Sequence, residues 1–166
     1  HAATGPAAAP AAPAAPAYVM PSTHAFEVDS DDGRPYSIFV SYPSTEKPAD
    51  GWPVLYVLDG NAMFAAFADA RRLQEWSDVG KAIVVGVGYP GDMPYDVRRL
   101  DDYTPPLVDP PPANLRRFAK YPSGGWDRFL DFLTGKLRGE IARRYAVDPE
   151  RQALFGHSLG GLLALH

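Results

Sequence analysis

Gln152-Ala153-Leu154-Phe155-Gly156-His157-Ser158-Leu159-Gly160-Gly161-Leu162-Leu163-Ala164-Leu165 is the stretch whose reading decides the fold. Gln152 to Phe155 reads as a buried strand, and Leu162 to Leu165 as an apolar helix. Between them, Gly156-x-Ser158-x-Gly160 fits a nucleophile elbow, a turn so tight that the serine must hold a strained backbone. The neighbouring positions must be small because they pass close to the adjacent strand and helix. In return the hydroxyl is raised clear of the sheet, and the helix start aims unpaired N–H groups at a developing oxyanion. Ser158 is therefore the candidate nucleophile and the N–H of Leu159 the first candidate oxyanion donor. A lone Gly-x-Ser-x-Gly is a weak signal, but here strand, turn, second glycine and helix arrive in order.

Upstream, the punctuation is regular. Phe26 and Val28 alternate with polar residues, Asp31-Asp32-Gly33 turns the chain, and Ile38 and Val40 alternate again, which predicts a β-hairpin. Val54 to Leu58 and Ile83 to Val87 are short continuous apolar runs of the kind covered on both faces. Ala62 to Trp76 between them reads as a helix with Met63, Phe67 and Leu73 as inward candidates, closed by Gly80. Strand, helix, strand predicts a mostly parallel sheet with helices on both faces. With the elbow, this is the α/β-hydrolase fold. Residues 22–166 are expected to form the N-terminal part of one such domain, incomplete at the C-terminus.

Gly88 to Gly125 is different. It holds eight prolines and no sustained periodicity, so a cover or binding loop is expected there. Trp126, Phe129, Leu130, Leu133, Leu137, Ile141 and Tyr145 then recur at helical spacing, stopped by Asp148-Pro149.

Composition narrows the function classes. The chain has 166 residues, enough to bury a core, and is 46% hydrophobic and 22% charged. A net charge of −4 gives no reason for nucleic-acid binding, and no apolar run is long enough to span a bilayer. Zero cysteines exclude a disulfide framework, a thiolate metal site and a thiol nucleophile. No cofactor or metal is called for. The Ala/Pro-rich stretch at 1–21 is expected to be a disordered leader, the stub left when an export signal is removed.

The second oxyanion donor is expected from the loop after the third strand, Asp59-Gly60-Asn61, where Gly60 allows close approach to the substrate. A serine also needs a base within hydrogen-bond reach. In this fold the order is serine, acid, histidine. His1 falls in the leader, His24 opens the first strand on the far side of the sheet, and His157 flanks the nucleophile pointing away. His166 lies about two turns along the nucleophile helix, pointing into the packed layer. None serves, so the catalytic His and acid are expected beyond the supplied residues. The strand ending at Phe155 is apolar enough to be central, which also calls for further strands.

At this point the residues resemble a known group. Leu55-Tyr56-Val57-Leu58-Asp59-Gly60-Asn61-Ala62, Arg99-x-x-Asp102-Tyr103-Thr104-Pro105 and Gly124-Gly125-Trp126-x-x-Phe129-Leu130-x-Phe132-Leu133 are similar to the trilactone siderophore esterases. So are Val147-Asp148-x-x-Arg151 and Leu154-Phe155-Gly156-His157-Ser158-Leu159-Gly160-Gly161. That group comprises the enterobactin and salmochelin esterases, relatives of esterase D, and the likeness runs from about Tyr36 to Leu165. It implies a serine carboxylic-ester hydrolase that cleaves the ester bonds of a catecholate siderophore, iron-loaded, so that iron is released. With an exported leader, the sequence looks like the periplasmic ferric-enterobactin esterase branch, which implies an outer-membrane siderophore receptor as a partner. Arg99 is expected to meet the anionic oxygens of such a substrate, and Tyr103, Tyr89, Tyr95 and Trp126 to offer flat surfaces. The competing reading makes Arg98 and Arg99 a surface ion-pair cluster with Asp101 and Asp102, and Trp126 a core residue. Arg71-Arg72, Arg116-Arg117 and Arg143-Arg144 read as solvated faces.

Two other functions fit the elbow. One is a serine hydrolase of another class, such as an S-acyl-glutathione hydrolase or a carbohydrate esterase. The other is a non-catalytic siderophore-binding module. A fluorophosphonate probe separates the last from the esterases, because a binding module leaves Ser158 unlabelled.

Overall fold

A computed structural model describes residues 16–166; most of the leader expected at 1–21 lies outside the described residues. Five strands form one sheet: β1 (Thr23–Asp29), β2 (Pro35–Ser41), β3 (Trp52–Leu58), β4 (Ile83–Gly88) and β5 (Val147–Phe155), in the order β1-β2-β4-β3-β5. The hairpin forms as its alternation predicts, with Phe26 opposite Ile38 and Gly33 at φ 77 in the turn. β4 pairs antiparallel to β2 and parallel to β3, and β3 is parallel to β5. The described sheet is therefore mixed, with two antiparallel pairings and two parallel ones, where the apolar strands had suggested a mostly parallel sheet. The hairpin supplies the antiparallel half, because its tight turn forces the first pairing.

Helices cover both faces, and alternation along β2 shows how. Tyr36, Ile38 and Val40 point to one side, where Tyr36 stacks on Phe132 and meets Phe129. Phe39 and Ser41 point to the other, where Phe39 stacks on Phe64 of α1 (Gly60–Leu73) and Ser41 accepts a hydrogen bond from Arg71. Every residue of β4 is buried, as a strand covered on both faces requires.

The inward stripe of α1 runs through Phe64, Ala68 and Arg71, not through Leu73, which is 63% exposed. Leu73 lies about 200° round the helix from Arg71 and so faces water. Arg71, read from the sequence as solvated, is only 4% exposed. Its Nε donates to Ser41 Oγ and its Nη1 to Glu75 and the Gly80 carbonyl, so the buried charge is paired and hydrogen-bonded.

The proline-rich connection carries a short helix, α2 (Arg99–Asp102). The long helix then runs through α3 (Trp126–Asp131), a π-helical segment Phe132–Leu137 and α4 (Arg138–Arg144). Its buried residues Phe129, Leu133, Leu137 and Ile141 are spaced by four, wider than an α-helical turn. The π segment absorbs the mismatch and brings Phe132 inward as well. Asp148 and Pro149, expected to end the helix before the strand, lie inside β5 at a register irregularity, which spares Pro149 a ladder hydrogen bond. β5 pairs only with β3 among the described residues, so it is an edge here. No helix of the described residues is long and apolar enough to cross a membrane.

Candidate active site

The chain leaves β5 at Phe155, turns through Gly156-His157-Ser158 and enters α5 (Leu159–Ala164). Ser158 has φ 57 and ψ −117, a conformation costly for a residue with a side chain. Gly156 is required by packing: a Cβ there would overlap the carbonyl of Gly160. A Cβ on Gly160 would sit 3.4 Å from Leu58, so α5 presses its start against the end of β3. Ser158 is exposed, and Leu159 opens the helix, so its N–H has no intrahelical acceptor. The strained serine, the close-packed glycines and the free N–H are the local geometry that the sequence pattern demands.

Across from the elbow, β3 ends at Leu58 and α1 begins at Gly60. The residue between them, Asp59, is left-handed, at φ 54 and ψ 47. Gly60 is buried with its Cα against β4, where a Cβ would lie 2.9 Å from the backbone of Gly86 and Val87. Its lack of a side chain allows this close approach to β4. Its N–H, at the first helical position, still lacks an intrahelical partner. Asn61 donates to the carbonyls of Tyr89 and Gly91 and accepts from the Tyr89 N–H, tying the segment to the loop after β4. Each residue of Asp-Gly-Asn thus has a separate structural task.

Arg99 lies here, but not as a free cation. Its Nε and Nη2 donate to the two oxygens of Asp59, both at 2.8 Å, and the carboxylate is 2% exposed. A Cβ on Gly160 would lie 3.7 Å from Asp59 Oδ2, so this ion pair abuts the elbow. The side chain of Arg99 is itself 14% exposed, and its guanidinium faces the rings of Tyr95 and Tyr103. Asp59, which the sequence reading took only as part of a turn, is the residue missed. A carboxylate beside a candidate oxyanion donor needs a cation, and that requirement could have linked it to Arg99.

Tyr103 is 0% exposed, which removes it as a substrate surface. Its ring packs against Phe129, and its hydroxyl accepts a hydrogen bond from the Asp59 N–H at 3.1 Å. Burial, reinforced by the nearby Asp59 carboxylate, pushes its pKa up, so the hydroxyl stays protonated. Tyr89 is buried too, Trp126 is half-buried, and Tyr95 is the exposed aromatic beside Arg99.

Arg98 and Arg99 do not form the expected surface cluster with Asp101 and Asp102. Asp101 accepts instead from Arg34 at 3.0 Å and Arg128 at 2.8 Å, and the buried Asp102 accepts from Tyr36 at 2.9 Å. Burial pushes the Asp102 carboxyl above the usual value, against the hydrogen bond from Tyr36. These contacts tie α2 to the hairpin and to α3, fixing the helix that carries Arg99.

His1 lies outside the described residues, and the three described histidines sit away from a base position. His24 contacts Tyr145 at the far edge of the sheet, and His157 is exposed. His166 does not enter the packed layer; it stacks on Trp126 at 3.7 Å, with its Nε2 2.9 Å from Asp127 Oδ1. Beside Leu159 opens a cavity of 350 Å³, walled by Leu100, Pro106, Leu115, Phe118 and Leu162.

Comparison with known proteins places this geometry. Residues 31–166 match the family model described as "Putative esterase". The chain is 38% identical over 157 residues to the ferri-bacillibactin esterase BesA of Bacillus subtilis, covering 90% of this chain and 54% of that protein. It superposes on the crystal structure of the BES protein from Bacillus cereus with a TM-score of 0.84 and 34% identity, over 92% of this chain and 60% of that one. A third relative, the enterobactin hydrolase IroE solved in complex with DFP, gives a TM-score of 0.68 and 33% identity, over 85% and 55%. The chain thus spans about half the length of BesA. The resemblance to siderophore esterases read from the sequence motifs agrees with these relatives. The protein belongs to the family described as "Putative esterase" and has the α/β-hydrolase fold of these relatives.

Proposed function

We propose that the protein is a serine esterase that opens the trilactone ring of a catecholate siderophore through an acyl-enzyme on Ser158. The observation that carries this reading is the strained backbone of Ser158 at a glycine-packed turn, with the open N–H of Leu159 beside it. Strain of this kind persists where the surrounding structure enforces it, and it clusters at reacting groups. The siderophore class is supported by the relatives, BesA as a ferri-bacillibactin esterase and IroE as an enterobactin hydrolase.

Ser158 Oγ attacks an ester carbonyl carbon while its proton passes to a histidine base, the last member in the order serine, acid, histidine. The carbonyl oxygen becomes an oxyanion, received by the N–H groups of Leu159 and Gly60. Collapse expels an alkoxide oxygen of the trilactone, which takes the proton from the histidinium. Water then gives a proton to the histidine as it attacks the acyl carbon, and Ser158 Oγ leaves with that proton, freeing the carboxylate. Arg99 uses two guanidinium nitrogens on Asp59, and Nη1 has no protein partner among the described residues. That nitrogen takes an anionic oxygen at the elbow, either on the substrate or as charge develops on the ester. The Ala/Pro-rich leader supports a periplasmic location, which cell fractionation tests. For the reaction itself, the test is product analysis by mass spectrometry with a ferric catecholate trilactone. The full-length enzyme yields the linear trimer, the Ser158→Ala variant does not, and turnover by that variant refutes the assignment.

A further inference from the structure

Asp59 is held in the left-handed region, uncommon for a residue with a side chain, and it is 2% exposed. A residue keeps such a backbone only where its surroundings over-determine it. Two contacts do so, both from one short stretch of α2 and the residue after it. Arg99 grips the carboxylate, and the hydroxyl of Tyr103 accepts the buried backbone N–H at 3.1 Å. The backbone contact is the more directional of the two. It fixes the peptide plane leading into Asp59, and the next N–H along the chain is that of Gly60, the proposed oxyanion donor.

We infer that Tyr103 is a positioning residue: its buried hydroxyl holds the Asp59–Gly60 segment so that the Gly60 N–H points at the oxyanion. The inference rests on the esterase reading above. The ring of Tyr103 is already held by Phe129 and lies under the Arg99 guanidinium, so Tyr103→Phe removes the hydroxyl and keeps the packing. The buried Asp59 N–H then lacks its partner, and the segment relaxes. A misplaced oxyanion donor weakens binding of the transition state and leaves binding of the ground state unchanged.

The test is steady-state kinetics on the full-length enzyme with a neutral aryl ester, together with amide hydrogen exchange. Tyr103→Phe is expected to lower kcat about 10- to 100-fold, below the loss of a whole oxyanion donor, with KM within about twofold. Amide exchange across 59–61 should quicken while that of β4 does not. Tyr56→Phe deletes a hydroxyl from the same strand that leads to Asp59, where it meets Gln152 at 3.3 Å, and serves as the matched control with kcat unchanged. If Tyr103→Phe does not fold, a ring-fluorinated tyrosine at 103 weakens the acceptor while keeping the shape, and a smaller loss of kcat is expected. Unchanged kcat in the Phe or fluorotyrosine protein, or an equal loss in Tyr56→Phe, overturns the inference. A wild-type enzyme that neither turns over nor takes a fluorophosphonate overturns the esterase reading instead.

Discussion

Removing the guanidinium of Arg99 should harm the protein more than removing both partners of its ion pair. In Arg99→Ala the Asp59 carboxylate, 2% exposed, loses two hydrogen bonds of 2.8 Å and keeps its burial. Breaking a fully buried pair in this way costs about 3–5 kcal/mol. Arg99 is 14% exposed, so water partly replaces it, and the low end, about 3 kcal/mol, is expected. The stranded negative charge also abuts the elbow, where the proposed oxyanion forms, so kcat should fall with stability. In the double variant Arg99→Ala/Asp59→Asn the charge is gone, and about half of the lost stability should return. The coupling energy of the cycle is then about 1.5 kcal/mol or more, above the 0.3–0.5 kcal/mol scatter of independent sites. Urea unfolding of the four full-length proteins measures it, provided that the m-values agree. Additive losses within that scatter would refute the pairing as a source of stability. Loss of activity on a charged siderophore, with none on a neutral ester, would refute the electrostatic link to the elbow.

Other outcomes follow from the same geometry. Gly156→Ala drives a methyl group into the Gly160 backbone and should cost about 3 kcal/mol or more, seen as a lowered Tm with loss of esterase activity. Arg71→Ala should destabilise strongly, because Ser41, the Gly80 carbonyl and one oxygen of Glu75 each lose a donor, whereas Arg72→Ala should change stability by no more than about 0.5 kcal/mol in the same denaturation assay. Burial alone would raise the Asp101 pKa, but hydrogen bonds from Arg34 and Arg128 outweigh it and hold the carboxyl below its ordinary 3.8. A depressed folded pKa stabilises the fold above the ordinary value and is lost as pH falls through the folded one. The stability gap between wild type and Asp101→Asn should therefore be constant above about pH 5 and shrink below about pH 4, as read by unfolding at successive pH values.

What could be read from the sequence was local. The hairpin shows in Phe26, Val28, Ile38 and Val40 because alternation needs no distant partner. The elbow shows because Gly156, Gly160 and Gly161 pack on one another within a single turn. Contacts across the chain did not show. Arg71 is inside because Ser41, thirty residues away, accepts from it, and hydropathy alone places arginine outside. Arg99 seemed available to a substrate until Asp59, forty residues upstream, took two of its nitrogens. Tyr103 seemed a surface for a ligand and is instead the partner of a backbone N–H. The Arg-x-x-Asp-Tyr and Asp-Gly-Asn segments were recognisable as motifs, but their meaning lies in the contact between them.

The claim that Ser158 is the reacting atom is tested most directly by labelling the full-length enzyme with a fluorophosphonate and mapping the adduct by peptide mass spectrometry. One adduct per chain, on the peptide containing Ser158 and absent from Ser158→Ala, is the expected result. An unlabelled protein that still hydrolyses the ester, or an adduct on another serine, would contradict it.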